Sequence, residues 1–197
     1  MAKVIVWILF FRFFSVGNAP TESTRNIAIE NIDSQLVEMT ITGETNINRV
    51  NFYLNNPQKK NSFSHVSGEV NAHSLTFNIP VNSLECHNKL MLNDFRKMLK
   101  ADEYPVVTIG IDTPEFEGIL TRNESSSIPM EVTLSGITQK LYSSYSIQTT
   151  SPDLQTLTGD VTIRLSDFSM KPPQKMMGLV KLSDEIIINF KILIKTA

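Results

Sequence analysis

Cys86 and His87 stand side by side, and a thiol beside an imidazole is the first pair to weigh for nucleophilic chemistry. A catalytic imidazole must reach the thiol proton at hydrogen-bond distance, and enzymes assemble such pairs from positions far apart in sequence. Adjacent residues usually point their side chains in different directions, so this pair does not read as nucleophile and base. The other histidines, His65 and His73, are scattered and lack the H-x-x-x-H spacing of a metal site. The carboxylate pairs Glu115/Glu117 and Asp184/Glu185 fall at turn-like or solvent-facing positions and read as solubility. No Gly-rich phosphate loop, G-x-S-x-G elbow or dinucleotide fingerprint occurs. Asn123-Glu124-Ser125 matches a glycosylation acceptor, a short motif that means nothing in a bacterial source. The expectation is a protein that is not an enzyme and uses no metal or cofactor.

Cys86 is the only cysteine, so no intramolecular disulfide can form, and it reads as a partly buried structural residue. The core alone must then hold the fold. With 41% apolar and 19% charged residues, the chain can build one. The net charge of −2, with no Lys/Arg cluster, argues against nucleic acid as a partner.

The elements behind these residues follow one pattern. Val37, Met39 and Ile41 alternate with polar residues up to Gly43, and Val50, Phe52 and Leu54 do so up to Asn55-Asn56-Pro57. The pattern returns at Leu75/Phe77/Ile79, Val107/Ile109/Ile111 (ended by Asp112-Thr113-Pro114), Met130/Val132/Leu134, Val161/Ile163/Leu165 and Ile186 to Ile194. A period of two puts every second side chain on one face of a strand. Such faces must close into a barrel or pack sheet on sheet, and the polar alternates indicate antiparallel pairing. The last strand, the most strongly patterned, should sit centrally. One segment differs: Met91, Phe95, Met98 and Leu99 fall at i, i+4, i+7 and i+8, which predicts an amphipathic helix between Asn88 and Lys100. Asn88 is a suitable N-cap, and Tyr104-Pro105 closes the helical stretch.

Residues 1–19 read as an export leader. Lys3 precedes the apolar run Val4 to Phe11, which Arg12 interrupts. That run is far shorter than the roughly 20 apolar residues of a membrane span, so no stable span is expected. Small residues at Ser15, Gly17 and Ala19 offer cleavage after Gly17 or after Ala19, with Pro20 disfavouring the second. A buried N-terminal strand is the alternative. The expectation is a periplasmic or secreted protein with one domain at 20–197.

Three stretches resemble the YceI-like family. Leu99 to Ile111, LKADEYPVVTIGI, is similar to the family's helix end, Tyr-Pro step and following strand. Val132 to Leu141, VTLSGITQKL, resembles its strand-Gly-hydrophobic-Thr-Lys hairpin, and Ser166 to Phe190 its closing strands. Leu36 to Phe52 resembles the opening strands of a family variant. The resemblance implies an all-β, lipocalin-like antiparallel barrel of about eight strands, joined here by the one short helix. It also implies a lumen for a long apolar molecule, such as a polyisoprenoid, quinone or fatty-acid derivative. Ile109 stands where the family usually has an aromatic, and Lys171-Pro172-Pro173 lengthens a loop.

Leu75, Phe77, Ile79, Val107, Ile109 and Ile111 flank the helix in sequence and are the lumen candidates, with Phe95 and Met98 as a flexible lid. The same stripes read equally as solid core. Arg164 is the candidate headgroup anchor, against the commoner case of a solvent-facing strand arginine. Three functions follow in order: a lipid-binding barrel for carriage or sequestration, a filled-core structural or interaction barrel of the cell envelope, and an enzyme acting on a lipid. A homodimer is compatible with each.

Overall fold

In this computed structural model the described residues are 32–54, 65–71, 73–122, 126–172, 174–175 and 180–196. The expected leader and the Asn123-Glu124-Ser125 motif lie outside them.

The alternating segments become strands because each has one face to bury. In β10 (Val180–Thr196), Ile186, Ile188, Phe190, Ile192 and Ile194 all point inward and are buried. This strand pairs antiparallel with β8 (Leu154–Arg164) on one side and β1 (Ile32–Thr45) on the other. From β1 the ladder continues through β3 (Val66–Val70), β4 (Ser74–Pro80), β5 (Val106–Asp112), β6 (Ser126–Leu134) and β7 (Ile137–Ser151) back to β8. The result is a closed antiparallel barrel of eight strands. Two strands lie outside the ring: β2 (Arg49–Tyr53) on β1, and the short β9 (Gln174–Lys175) on β10. In a closed ring β10 is not central in the open-sheet sense, but it is paired along both edges.

β1 departs from the expected alternation. A bulge between Leu36 and Glu38 shifts its register against β10, so Leu36 is buried while Val37 is only half-buried. One extra residue in one strand reverses the facing of everything before it. β1 also serves two neighbours along one edge: Gln35 and Leu36 pair with β3, whereas Thr40 to Glu44 pair with β2. The β1–β2 hairpin contributes to the mouth described below.

The outer surface is polar and cross-linked strand to strand. Thr108 Oγ1 donates to Asn78 Oδ1 at 3.1 Å, the Thr133 and Thr138 hydroxyls meet at 2.7 Å, and Lys140 lies 3.3 Å from Glu131. A membrane-embedded barrel carries the reverse pattern, apolar outside. No helix among the described residues is long and apolar enough to cross a membrane.

Among the described residues two α-helices cover the ends, where the sequence predicts one. The first, α1 (Lys89–Met98), begins where predicted: Asn88 Oδ1 accepts from the backbone N–H of Leu90 (3.0 Å) and of Met91 (3.2 Å). It stops before Lys100 because that residue turns left-handed, at φ 52°. The second, α2 (Thr113–Arg122), stands where the sequence predicts only a strand-ending turn. Its Pro114 occupies the first turn, where proline fits, and Phe116, Ile119 and Leu120 bury one face at i, i+3 and i+4. Thr113 ties it to the barrel, its N–H donating to His73 O and its Oγ1 to Asn71 O, both at 3.0 Å. α2 packs on β4 and β5 at the end opposite α1.

A candidate ligand chamber beneath the first helix

α1 is held over the mouth by named contacts. Phe95 stacks on Phe52 of β2, with ring centroids 4.0 Å apart. The Arg96 guanidinium Nη2 donates to Asn82 O (3.0 Å) and Leu84 O (3.2 Å) in the segment that leads into the helix. Ser135 Oγ, in the β6–β7 turn, donates to Leu99 O at 2.9 Å and satisfies a terminal carbonyl. Glu85 and Tyr53 exchange backbone hydrogen bonds of 2.8 Å, joining the approach to α1 with the edge of β2.

Under this helix lie two cavities in series. The mouth cavity, about 50 Å³, is bounded by the β1–β2 hairpin (Ile41, Val50, Phe52), by Met91, Asp94, Phe95 and Met98 of α1, and by Leu182 and Ile186 of β10. The inner cavity, about 30 Å³, lies deeper among Met39, Ile79, Val107, Ile109, Val132, Ile163 and Ile188, and its lining is apolar throughout. Ile41, Phe95, Met98 and Ile186 line both, so they form the partition between them. Phe95 and Met98 belong to the helix and not to a barrel strand, so they can swing without unfolding one, methionine being the more adaptable of the two.

The structure brings together Ile79, Phe95, Met98, Val107 and Ile109 around the inner cavity. Leu75, Phe77 and Ile111 line neither cavity; they are buried in the half of the barrel that α2 covers. Arg164 faces outward, 3.5 Å from Glu185, so it anchors nothing in the lumen. Residues that the sequence reading missed come from β1, β2 and the start of β10, above all Phe52, Ile186 and Asp94. Asp94 had a signal: it stands at i+3 from Met91, inside the apolar stripe of the helix.

The catalytic candidates are dispersed. Cys86 is half-buried against the core, and the His87 ring faces Tyr53 with centroids 6.2 Å apart. Asp184 is structural: its carboxylate accepts from the N–H and Oγ of Ser166 and so caps the 3-10 turn Leu165–Phe168. Glu115 belongs to the first turn of α2, not to a loop. Among the described residues no group of three or more His, Cys, Asp or Glu is placed to hold a metal. Tyr104 has its pKa raised above 10.0 by a hydrogen bond to the Glu103 carboxylate and by that group's charge; it lies outside both cavities.

No curated protein matches the chain. Solved structures do. A polyisoprenoid-binding domain from Saccharophagus degradans, implicated in plant cell wall breakdown, is 12% identical with a TM-score of 0.57, over 85% of this chain and 99% of its own. BcnA of Burkholderia cenocepacia is 14% identical (TM-score 0.45) over 87% of this chain and all of its own, 100%. A Campylobacter jejuni YCEI protein is 17% identical (TM-score 0.46) over 71% of this chain and 90% of its own. The first of these shares the barrel fold. The family profile described as a YceI-like domain matches residues 44–194, from the end of β1 to the closing strand, and the chain therefore belongs to the YceI-like family.

Proposed function

We propose that this protein is an exported carrier that holds one long apolar chain in its lumen and performs no catalysis. The observation that carries the reading is the pair of cavities beneath α1, mostly apolar at the mouth and wholly apolar inside, which share Ile41, Phe95, Met98 and Ile186. At about 50 and 30 Å³ they are smaller than the roughly 150 Å³ that admits a benzene ring, so a chain enters when Phe95 and Met98 swing aside. The return is adequate for a long ligand. Each buried CH₂ is worth about 0.8 kcal/mol, so a ten-carbon tail gains about 8 kcal/mol against association costs of at least about 4 kcal/mol. The ligand named for the Saccharophagus degradans domain supports a polyisoprenoid or a similar quinone or acyl chain.

Native mass spectrometry of the protein from its own host's envelope, with extraction of what co-purifies, tests this. A stoichiometric long-chain species supports the carrier. Apo protein that also takes up no isoprenoid quinone or fatty-acid derivative refutes it. The modest cavity volumes favour a second reading in that event, a filled barrel that serves envelope structure or interaction. Amino-terminal sequencing of the exported form tests the leader, with a new terminus after Gly17 or Ala19 as the expected result.

A further inference from the structure

A long apolar chain leaves water for a bilayer, so a carrier that holds one must bring its mouth to a membrane surface. Three elements that frame the mouth each set a lining residue next to an exposed one. On α1, Met91 lines the cavity while Leu90 stands outward, 72% exposed. At the tip of the β1–β2 hairpin, Thr45 lines it while Ile47 is 68% exposed. On β10, Leu182 lines it while Lys181 is exposed. Leu90 and Ile47 are two of the three most exposed large apolar side chains among the described residues. The third, Tyr142, belongs to β7 on the barrel wall.

Both positions are fixed by structure. A turn tip favours Gly, Asn, Asp or Ser, and Ile47 occupies one. Thr45 Oγ1 donates to Asn48 O (2.7 Å) and accepts from the N–H of Asn48 (2.9 Å) and of Ile47 (3.3 Å), which holds the tip closed. The Asn46 N–H donates to Lys181 O (3.2 Å) and the Lys181 N–H to Asn46 Oδ1 (3.0 Å), so the tip is tied to the start of β10. Leu90 shares the outward face of α1 with Asn93 and Lys97, at i+3 and i+7, all exposed. Charge then decides what covers this rim. Glu44, beside the turn, is neutralised by Arg49 at 2.7 Å. Lys89, Lys97 and Lys181 are exposed and form no ion pair among the described residues. A second copy seated on the rim by a two-fold contact would set these lysines against their own kind. An anionic bilayer suits them: the apolar side chains enter the head-group layer, and the ammonium groups meet lipid phosphates with their stems along the boundary.

We propose that the rim of the mouth, Ile47 and Leu90 flanked by Lys89, Lys97 and Lys181, docks on an anionic lipid surface, so that the chamber loads directly from the bilayer. This rests on the carrier reading above, and it adds the partner surface and the place where the chain is taken up.

The test is co-flotation of the protein, purified from its host's envelope, with vesicles of phosphatidylcholine alone or mixed with phosphatidylglycerol. Wild type is expected to float with the anionic vesicles, and less so as salt is raised. Ile47→Ser combined with Leu90→Ser, both at exposed sites, weakens this at least about tenfold. Lys89→Gln, Lys97→Gln and Lys181→Gln weaken it about fivefold each, and Tyr142→Ser leaves it unchanged. A wild type that floats with neither vesicle, or an Ile47/Leu90 variant that floats as wild type does, overturns the docking. A wild-type dimer that the same variant abolishes, with no vesicle binding, overturns it too and gives the rim to a second copy. Uptake of a dissolved apolar fluorescent probe by the same proteins separates the two readings. Uptake that persists without vesicle binding leaves the carrier and removes only the docking. No uptake by any form removes the carrier, and loading from the bilayer falls with it.

Discussion

The Phe95 ring of α1 lies nearly flat on Phe52 of β2, with centroids 4.0 Å apart and planes inclined by 18°. One ring belongs to the covering helix and the other to the strand that branches from the barrel wall. Phe95 also forms part of the partition between the two cavities. The contact that seats the helix is thus the contact that separates mouth from interior, and any motion that admits a ligand must break or slide it. A stacked aromatic pair contributes about 0.5–1.5 kcal/mol beyond its area burial, small enough to open within a folded barrel.

Phe95→Ala is therefore expected to trade stability for capacity. Truncating a buried phenylalanine costs about 3–5 kcal/mol, which for a chain of this size lowers Tm by about 6–20 °C. The partition loses its largest member, the cavities merge, and an apolar fluorescent probe should bind more tightly than to wild type. Thermal melts and probe titration check both effects. A destabilised variant with unchanged probe affinity would show that Phe95 only packs.

Arg96→Ala is expected to loosen the helix without opening the barrel. Its Nη2 carries both hydrogen bonds that tie α1 to Asn82 and Leu84, and hydrogen bonds to a charged group are worth about 1.5–3 kcal/mol. Amide exchange in residues 89–99 should accelerate by about ten- to hundredfold, while β8 and β10 keep wild-type protection. Uniform acceleration across the chain would mean that the side chain supports global stability instead.

The two ends of the barrel should respond separately. Phe116 of α2 is fully buried at the end opposite the mouth. Phe116→Ala should cost about 3–5 kcal/mol, as Phe95→Ala does, yet leave the binding of an apolar probe per folded molecule unchanged. Comparing the two alanine variants under conditions where both are folded checks this. Equal gains in probe binding would place a second chamber under α2.

What the sequence revealed follows from how strictly each segment obeys a single period. β4, β6, β8 and β10 each bury one face and nothing else, so their alternation is direct. β3 was invisible because VSGEV has few apolar residues, and Gly68 is there for space: a Cβ would lie 2.6 Å from Leu75 Cδ1. β7 escaped the periodic reading because Gln139 and Ser143 occupy inward positions, Ser143 being fully buried and donating to Asp160 O at 2.8 Å. α2 was misread because Thr-Pro serves equally as a turn or as a helix start, and only the spacing of Phe116, Ile119 and Leu120 distinguishes them. Half of the site was beyond local reasoning. Residues flanking α1 in sequence, Ile79 and Val107, do line the chamber, but Phe52 and Ile186 reach it through long-range closure of the ring. That closure also separates Leu75, Phe77 and Ile111 from the chamber, on the half covered by α2. Asp94 was passed over because a charged residue on an amphipathic helix normally faces water.

The final prediction concerns the meeting of two stretches on which the family resemblance rests. Tyr104 lies within one and Gly136 turns the other, with φ +78°, and a Cβ on Gly136 would lie 2.7 Å from Tyr104 Cε1. Gly136→Ala meets two penalties: left-handed backbone, about 1–2 kcal/mol for an L-residue, and collision with the ring. Tyr104→Ala should remove the second and leave the first. The double variant is then expected to be more stable than the sum of the single changes predicts, by at least about 0.5 kcal/mol. Denaturant melts of the four proteins in the cycle measure this. Because the same turn presents Ser135 Oγ to Leu99 O, Gly136→Ala should also raise amide exchange at the C-terminal end of α1. Strict additivity in the cycle would mean that the ring simply moves aside, and that the Tyr-Pro step is placed by Pro105 and its strand rather than by the glycine.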